Sequence, residues 1–237
     1  MSALQPIHCR PAAYDFFTAQ LPQLNKIDRL LNAALAVSMH ELTDVKPRAV
    51  RGQLDALADR VRSRVRGNNQ QALLAHLHSV LFDEQRLGGN LEDYHNPANS
   101  YLSEVLKTGR GIPITLTLIY KYVAQQLGLT VHGVNAPAHF LACVRMEGHW
   151  TLVDPFFAGR ILSRAEAIAQ IEQITGRALP APHTDGEADS PLFHDPLFPI
   201  ATHAQWLARI VRNLRGVFQK LDREQDVLAM VDLFRLL

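Results

Sequence analysis

Between positions 113 and 127 apolar residues cover most of the circumference of any helix the segment could form: Ile114, Leu116, Leu118, Ile119, Tyr122, Val123 and Leu127. A helix of that kind must be enclosed by other structure on most sides. Pro113 suits its first turn and Gly128 its stop. Short runs of β character follow at 131–135, 140–146 and 150–153, and Gly148 between the last two reads as a hairpin turn. A buried helix followed by a small antiparallel sheet is the order of an α+β core.

The flanks have a different pattern. Ile27, Leu30, Leu31, Ala34 and Leu35 recur at one-face helical spacing, as do Leu54, Leu57, Val61 and Val65, and then Leu73, Leu74, Leu77, Val80 and Leu81. Pro47 and Gly67-Asn68-Asn69 interrupt the pattern, so residues 1–87 read as a helical N-terminal section of several helices. Gly88-Gly89-Asn90 and Asn96-Pro97 carry turn chemistry and open the core, 88–179, through a long ordered loop. Chemistry often sits on such loops. Pro180, Pro182, Pro191, Pro196 and Pro199 make 180–202 an irregular linker or covering loop. Residues 203–237 read as a pair of helices, near 204–221 and 224–236, that could form a hairpin.

Composition narrows the function classes. A net charge of +1 without a long basic block gives no strong phosphate-binding surface, so no nucleic acid partner is expected. The start lacks the pattern of a signal peptide, and no apolar stretch approaches the roughly 20 residues a membrane helix needs. The expectation is a cytoplasmic protein without membrane contact. Two cysteines, Cys9 and Cys143, are too few for a disulfide framework or a cysteine zinc site. The 11 histidines include no pair one helical turn apart around a glutamate, and His76 and His78 would face different directions. No metal and no cofactor are expected.

A cysteine-protease type of site needs a nucleophile at the amino end of a buried helix, a histidine base and a group that orients it. His139, opening one strand after Pro137, and Asp154, ending the next, can meet across the hairpin and supply the last two. A hydrogen bond from Asp154 would fix one imidazole nitrogen and leave the other for proton transfer. The same spacing also fits an Asp-Pro turn and a satisfied core histidine.

The run Gly89-Asn90, Asp93-Tyr94, Asn96-Pro97, Asn99-Ser100-Tyr101-Leu102, Glu104-Val105-Leu106, Arg110-Gly111-Ile112-Pro113-Ile114, Gly128-Leu129, Gly133-Val134, His139-Phe140-Leu141 and Asp154-Pro155-Phe156 closely resembles the SirB family of bacterial transglutaminase-like proteins. The resemblance implies a papain-like α+β core with tetratricopeptide-like helices at the carboxyl end. It implies that His139 and Asp154 stand where a transglutaminase has its histidine and aspartate. Pro113 then occupies the place of the cysteine nucleophile, a replacement usual in that family, and thiol acyl transfer by that residue is excluded. Ala138 departs from the family pattern, which usually has glycine before the histidine.

Other candidates surround this pair. Thr115 lies in the first turn of the same helix, where its hydroxyl could face the histidine or bond the backbone. Cys143 is four residues beyond His139 on one strand, roughly 13 Å away and too far for a Cys–His pair. Asn99 and Tyr94 either build turns and caps or line the cleft. Arg110 either neutralises an acidic ligand group there or is solvated. The reading is a transglutaminase-like protein without its nucleophile, a non-catalytic or degenerate binding and regulatory protein with protein or peptide partners. The alternative is a hydrolase or acyl transferase acting on amide or ester bonds through His139 and Asp154, assisted by Thr115.

Overall fold

The computed structural model describes residues 6–179 and 196–237. Most of the expected proline-rich linker, 180–195, lies outside the described residues. Four helices form the front of the chain, α1 (Pro11–Thr18), α2 (Ile27–Ser38), α3 (Pro47–Arg62) and α4 (Gln70–His78). α1 and α3 begin on prolines, where a missing N–H removes no helical bond, and the Asn69 side chain caps α4 by accepting from the Ala72 N–H. A π-helical stretch, Ser79–Glu84, continues α4.

A two-residue strand β1 (Gly88–Gly89) pairs in parallel with β2 (Arg110–Gly111), and α5 (Leu102–Thr108) lies between them in sequence. α6 (Pro113–Gln126) is buried at every position from Pro113 to Ala124. The main sheet is antiparallel in the order β3 (Val131–Val134), β4 (Leu141–Met146), β5 (His149–Asp154) and β6 (Arg160–Leu162). Among the described residues the remaining α-helices are α7 (Arg164–Thr175), α8 (His203–Lys220) and α9 (Glu224–Phe234).

Ala142, Val144 and Val153 join the larger core, which includes α6, the front helices and Trp206, Leu214 and Phe218 of α8. Leu141, Cys143 and Leu152 join a second core with Ala167 and Ile171 of α7 and with Phe198. Both faces of the sheet are covered, so β4 is apolar on both sides of its pleat. Trp206 lies across Gly133, where a Cβ would come within 2.2 Å of the indole, so only glycine lets α8 sit this close to β3. Beyond β3 the chain closes the sheet edge: the Asn135 N–H bonds Pro199 O at 2.9 Å and the Ala201 N–H bonds Gly133 O at 2.8 Å.

β4 begins at Leu141, so His139 precedes the strand instead of opening it. The His139 N–H closes a turn onto Ala136 O at 3.2 Å, with Pro137 second and Ala138 third at φ 52°. Proline followed by a left-handed residue is the pattern of a type II turn, whose third position favours glycine. That is the physical meaning of a glycine before the histidine. β6 and α7 form a layer not foreseen from periodicity. α7 starts with a reciprocal capping box of Ser163 and Glu166.

The chain ends are fastened together. The Asp232 carboxylate on α9 accepts from the N–H groups of Ile7, His8 and Cys9 at 3.1, 2.7 and 3.0 Å. Burial pushes this carboxyl up, but the three N–H donors outweigh it and hold it below the usual aspartate range. Among the described residues no helix is long and apolar enough to cross a membrane.

Candidate functional site

The β4–β5 hairpin sets the centre of the site. Ala142 pairs with Val153, so continuing the register places Asp154 beside Leu141, and the turn at Pro137-Ala138 swings His139 back toward it. His139 Nε2 lies 2.7 Å from Asp154 Oδ2, and the two residues are 2% and 0% exposed. Asp154 also caps the 3-10 turn Pro155–Phe157: its Oδ1 accepts from the Phe156 N–H at 2.9 Å and from the Phe157 N–H at 3.4 Å. Gln170 of α7 donates from Nε2 to Oδ2 at 2.5 Å. The carboxylate therefore accepts throughout, which makes His139 Nε2 the donor of this pair. Nδ1 makes no hydrogen bond to a described residue. Phe156 stands edge-on to the imidazole at 5.9 Å between ring centroids and Phe157 lies at 6.2 Å, so the two phenylalanines close off the ring.

α6 starts beside this pair, since Thr117 Oγ1 donates to Phe140 O at 3.3 Å, one residue after His139. Pro113 is buried at the first position of α6 and offers no nucleophile. Thr115 Oγ1 is buried in the first turn of α6 and makes no hydrogen bond to a described residue, so the backbone-bonded alternative is not the one adopted. The two thiols are elsewhere. Cys143 is buried on β4, where burial pushes its thiol up to about 12, and Cys9 is pushed up to about 12 by burial and then by Asp232. At neutral pH neither is a thiolate.

The loop residues divide. Asn99 is a structural tie: its Nδ2 donates to Asp93 O at 2.7 Å and Tyr94 O at 3.2 Å, and its Oδ1 accepts from Asn90. Tyr94 stands edge-on to Phe156 at 6.1 Å with 40% of its surface exposed, so it shares the outer wall with the phenylalanine that covers His139. Arg110 is exposed, and its guanidinium lies over Gly88 and makes no hydrogen bond to a described residue. Phe156 also explains Gly89, where a Cβ would fall 2.4 Å from its ring.

Sequence reasoning missed Phe157, Gln170 and Arg209. Gln170 had an indirect signal, the Ser163-x-x-Glu166 pattern that starts its helix. Arg209 of α8 had none. It donates through Nη1 to Asn135 Oδ1 and, at 3.1 Å, to Ala136 O, and its guanidinium lies 5.5 Å from the centre of the Phe140 ring. His78 is held by Tyr120, whose hydroxyl lies 2.9 Å from its Nε2, and burial lowers the imidazole to about 4. Among the described residues no group of three or more His, Cys, Asp or Glu is placed to hold a metal ion.

A family model described as the transglutaminase-like superfamily matches residues 48–212, from the first turn of α3 into α8. A UPF0162 protein of Xylella fastidiosa (strain Temecula1) is 31% identical over 195 residues, which are 82% of this chain and 66% of that protein. The F-box only protein 21 of Homo sapiens is 29% identical over 192 residues, covering 68% of this chain and 31% of that protein. A UPF0162 protein of Pasteurella multocida is 31% identical over 117 residues, 49% of this chain and 44% of that protein. The chain thus spans just under two thirds of the Xylella relative's length and less of the others. No solved structure matches it.

Proposed function

The chain belongs to the transglutaminase-like superfamily, and from that premise we propose that it is a member without its nucleophile, a non-catalytic protein that binds a protein or peptide partner at the surface over His139, where Tyr94 and Phe157 are exposed. One observation carries this reading: Pro113 stands at the buried start of α6, where the resemblance places the cysteine, while both real cysteines are buried thiols. The His139–Asp154 pair then serves as a structural bond that holds the cleft wall. Its Oδ1 contacts to the 155–157 turn and its Gln170 bond to α7 support that role. The finer SirB assignment and a cytoplasmic location belong to the same proposal. The first rests on the motif run from Gly89 to Phe156, the second on two unpaired cysteines.

A second reading has its own support, because His139 Nδ1 makes no hydrogen bond to a described residue and could serve as a general base in hydrolysis or acyl transfer at amide or ester bonds. Affinity capture with wild type and His139→Gln, beside a panel of amide and ester substrates, separates the two. Loss of a partner in the variant with no turnover by wild type is expected. Turnover that disappears in both His139→Gln and Asp154→Asn overturns the non-catalytic reading.

A further inference from the structure

On the outer side of the turn that carries His139 is a groove of roughly 570 Å³, within the ~300–1,000 Å³ range of ligand clefts, lined among others by Ala136, Pro137, Ala138, Pro199, Arg209 and Arg212. Arg209 is held from one side only. Its Nη1 serves Asn135 and Ala136, while its Nε and Nη2 donate to no described residue. Arg212, one helical turn on, lies with its guanidinium 5.2 Å from the Phe234 ring centre and makes no hydrogen bond to a described residue. Neither cation has a carboxylate partner among the described residues. Other arginines of the protein do: Arg223 pairs with Asp226 and Glu41, Arg160 with Glu166, and Arg64 with Glu84.

Two like charges side by side without a counter-ion among the described residues are electrostatically costly, the more so because Arg209 is half-buried. Burial and then the neighbouring Arg212 work against the Arg209 charge, while the Tyr94 side favours it. A bound anion relieves that cost. The two planar forks suit carboxylates, each of which can accept two parallel N–H bonds from one guanidinium. The rest of the groove suits a peptide chain: proline and alanine surfaces for its side chains, and the Asn213 amide for its backbone.

We propose that this groove receives an acidic peptide, whose carboxylates pair with Arg209 and Arg212. The inference rests on the peptide-binding reading of the cleft and names its ligand class.

The test is fluorescence anisotropy with the full chain and a fluorescein-labelled, carboxyl-amidated decapeptide of alternating Glu and Ala. Three further peptides are compared: a Lys counterpart, a phosphoserine counterpart, and an Ala–Gln peptide with a free carboxyl terminus. The Glu peptide is expected to bind, with affinity falling at least tenfold in Arg212→Gln and further in the Arg209→Gln/Arg212→Gln double variant. Arg66→Gln, an exposed arginine on the loop before α4, should stay within twofold. Arg212→Gln should melt as wild type does, which guards against a folding artefact from Arg209. Binding of the Ala–Gln peptide with the same Arg212 dependence also supports the proposal and identifies a terminal carboxylate as the source. No binding of either carboxylate peptide, equal losses in Arg212→Gln and Arg66→Gln, binding of the Lys peptide, or tighter Arg212-dependent binding of the phosphoserine peptide each overturns it. If the groove fails these tests while His139→Gln still loses a partner, the groove assignment falls and the reading of the cleft stands.

Discussion

Replacing Asp154 by alanine should destabilise the whole chain, because the carboxylate holds three segments at once. The Phe156 N–H and His139 Nε2 are buried donors that lose their acceptor, the Phe157 N–H loses a longer bond, and the Gln170 amide can turn away. Two buried donors left unpaired cost about 1–3 kcal/mol each, so Asp154→Ala should cost ~4 kcal/mol. At about 2–4 °C per kcal/mol for a chain of this length, the melting midpoint drops by ~8–16 °C. Asp154→Asn keeps an acceptor for the Phe156 N–H, and His139 can move its proton to Nδ1 and accept from the new amide. Its cost should be ~1–2 kcal/mol. Urea unfolding followed through buried Trp206 measures both. If Asp154→Ala lies within about 0.5 kcal/mol of wild type, or above it, the carboxylate is not a structural tie and the structural role proposed for the His139–Asp154 pair falls.

Lys121 of α6 is buried and donates from Nζ to Val131 O, and burial lowers it from 10.5 to about 8. Between those pH values the unfolded chain holds a proton that the folded chain lacks, so this lysine adds stability as pH rises through that window. Relative to Lys121→Met, wild type should gain ~3 kcal/mol from pH 7 to 10.5, with the cysteine and tyrosine contributions cancelling in the difference. Unfolding curves at each pH check it, and a pH-independent difference removes the buried charge from the account. Ala138→Gly relieves the left-handed strain of ~1–2 kcal/mol and returns part of it as extra freedom of the unfolded chain. It should raise stability by ~0.5–1 kcal/mol in the same assay, and a loss of stability would show that the turn does not carry the strain argued for it.

The legible parts of this molecule were those written locally. Pro113, Gly128 and the apolar positions between them define α6, and Gly148 defines the hairpin that brings Asp154 beside the turn of His139. The residues that complete the surroundings come from far along the chain. Gln170 reaches Asp154 from α7, Arg209 reaches Ala136 from α8, and Asp232 reaches residues 7–9 from α9. No periodicity encodes such contacts, because each depends on how helices pack against the sheet and not on the pattern of either partner. The strand expected to open at His139, two residues before Leu141, has a local cause. Alanine at a left-handed position does not advertise a turn as glycine would.

The turn from Ala136 to His139 links the buried His139–Asp154 pair to the groove that Arg209 and Arg212 line. Ala136 O accepts both the His139 N–H that closes the turn and the Arg209 Nη1 that reaches it from α8. Inside the turn the imidazole is fixed by Asp154, and Asp154 by Gln170 and the 155–157 turn. The histidine is thus clamped from the sheet, from α7 and from α8, the kind of restraint that pre-organises a surface for binding. A thiol would give that wall a reaction. On the proposed reading, Pro113 leaves recognition as the task of this surface, and Arg209 and Arg212 are the charged groups proposed to carry it.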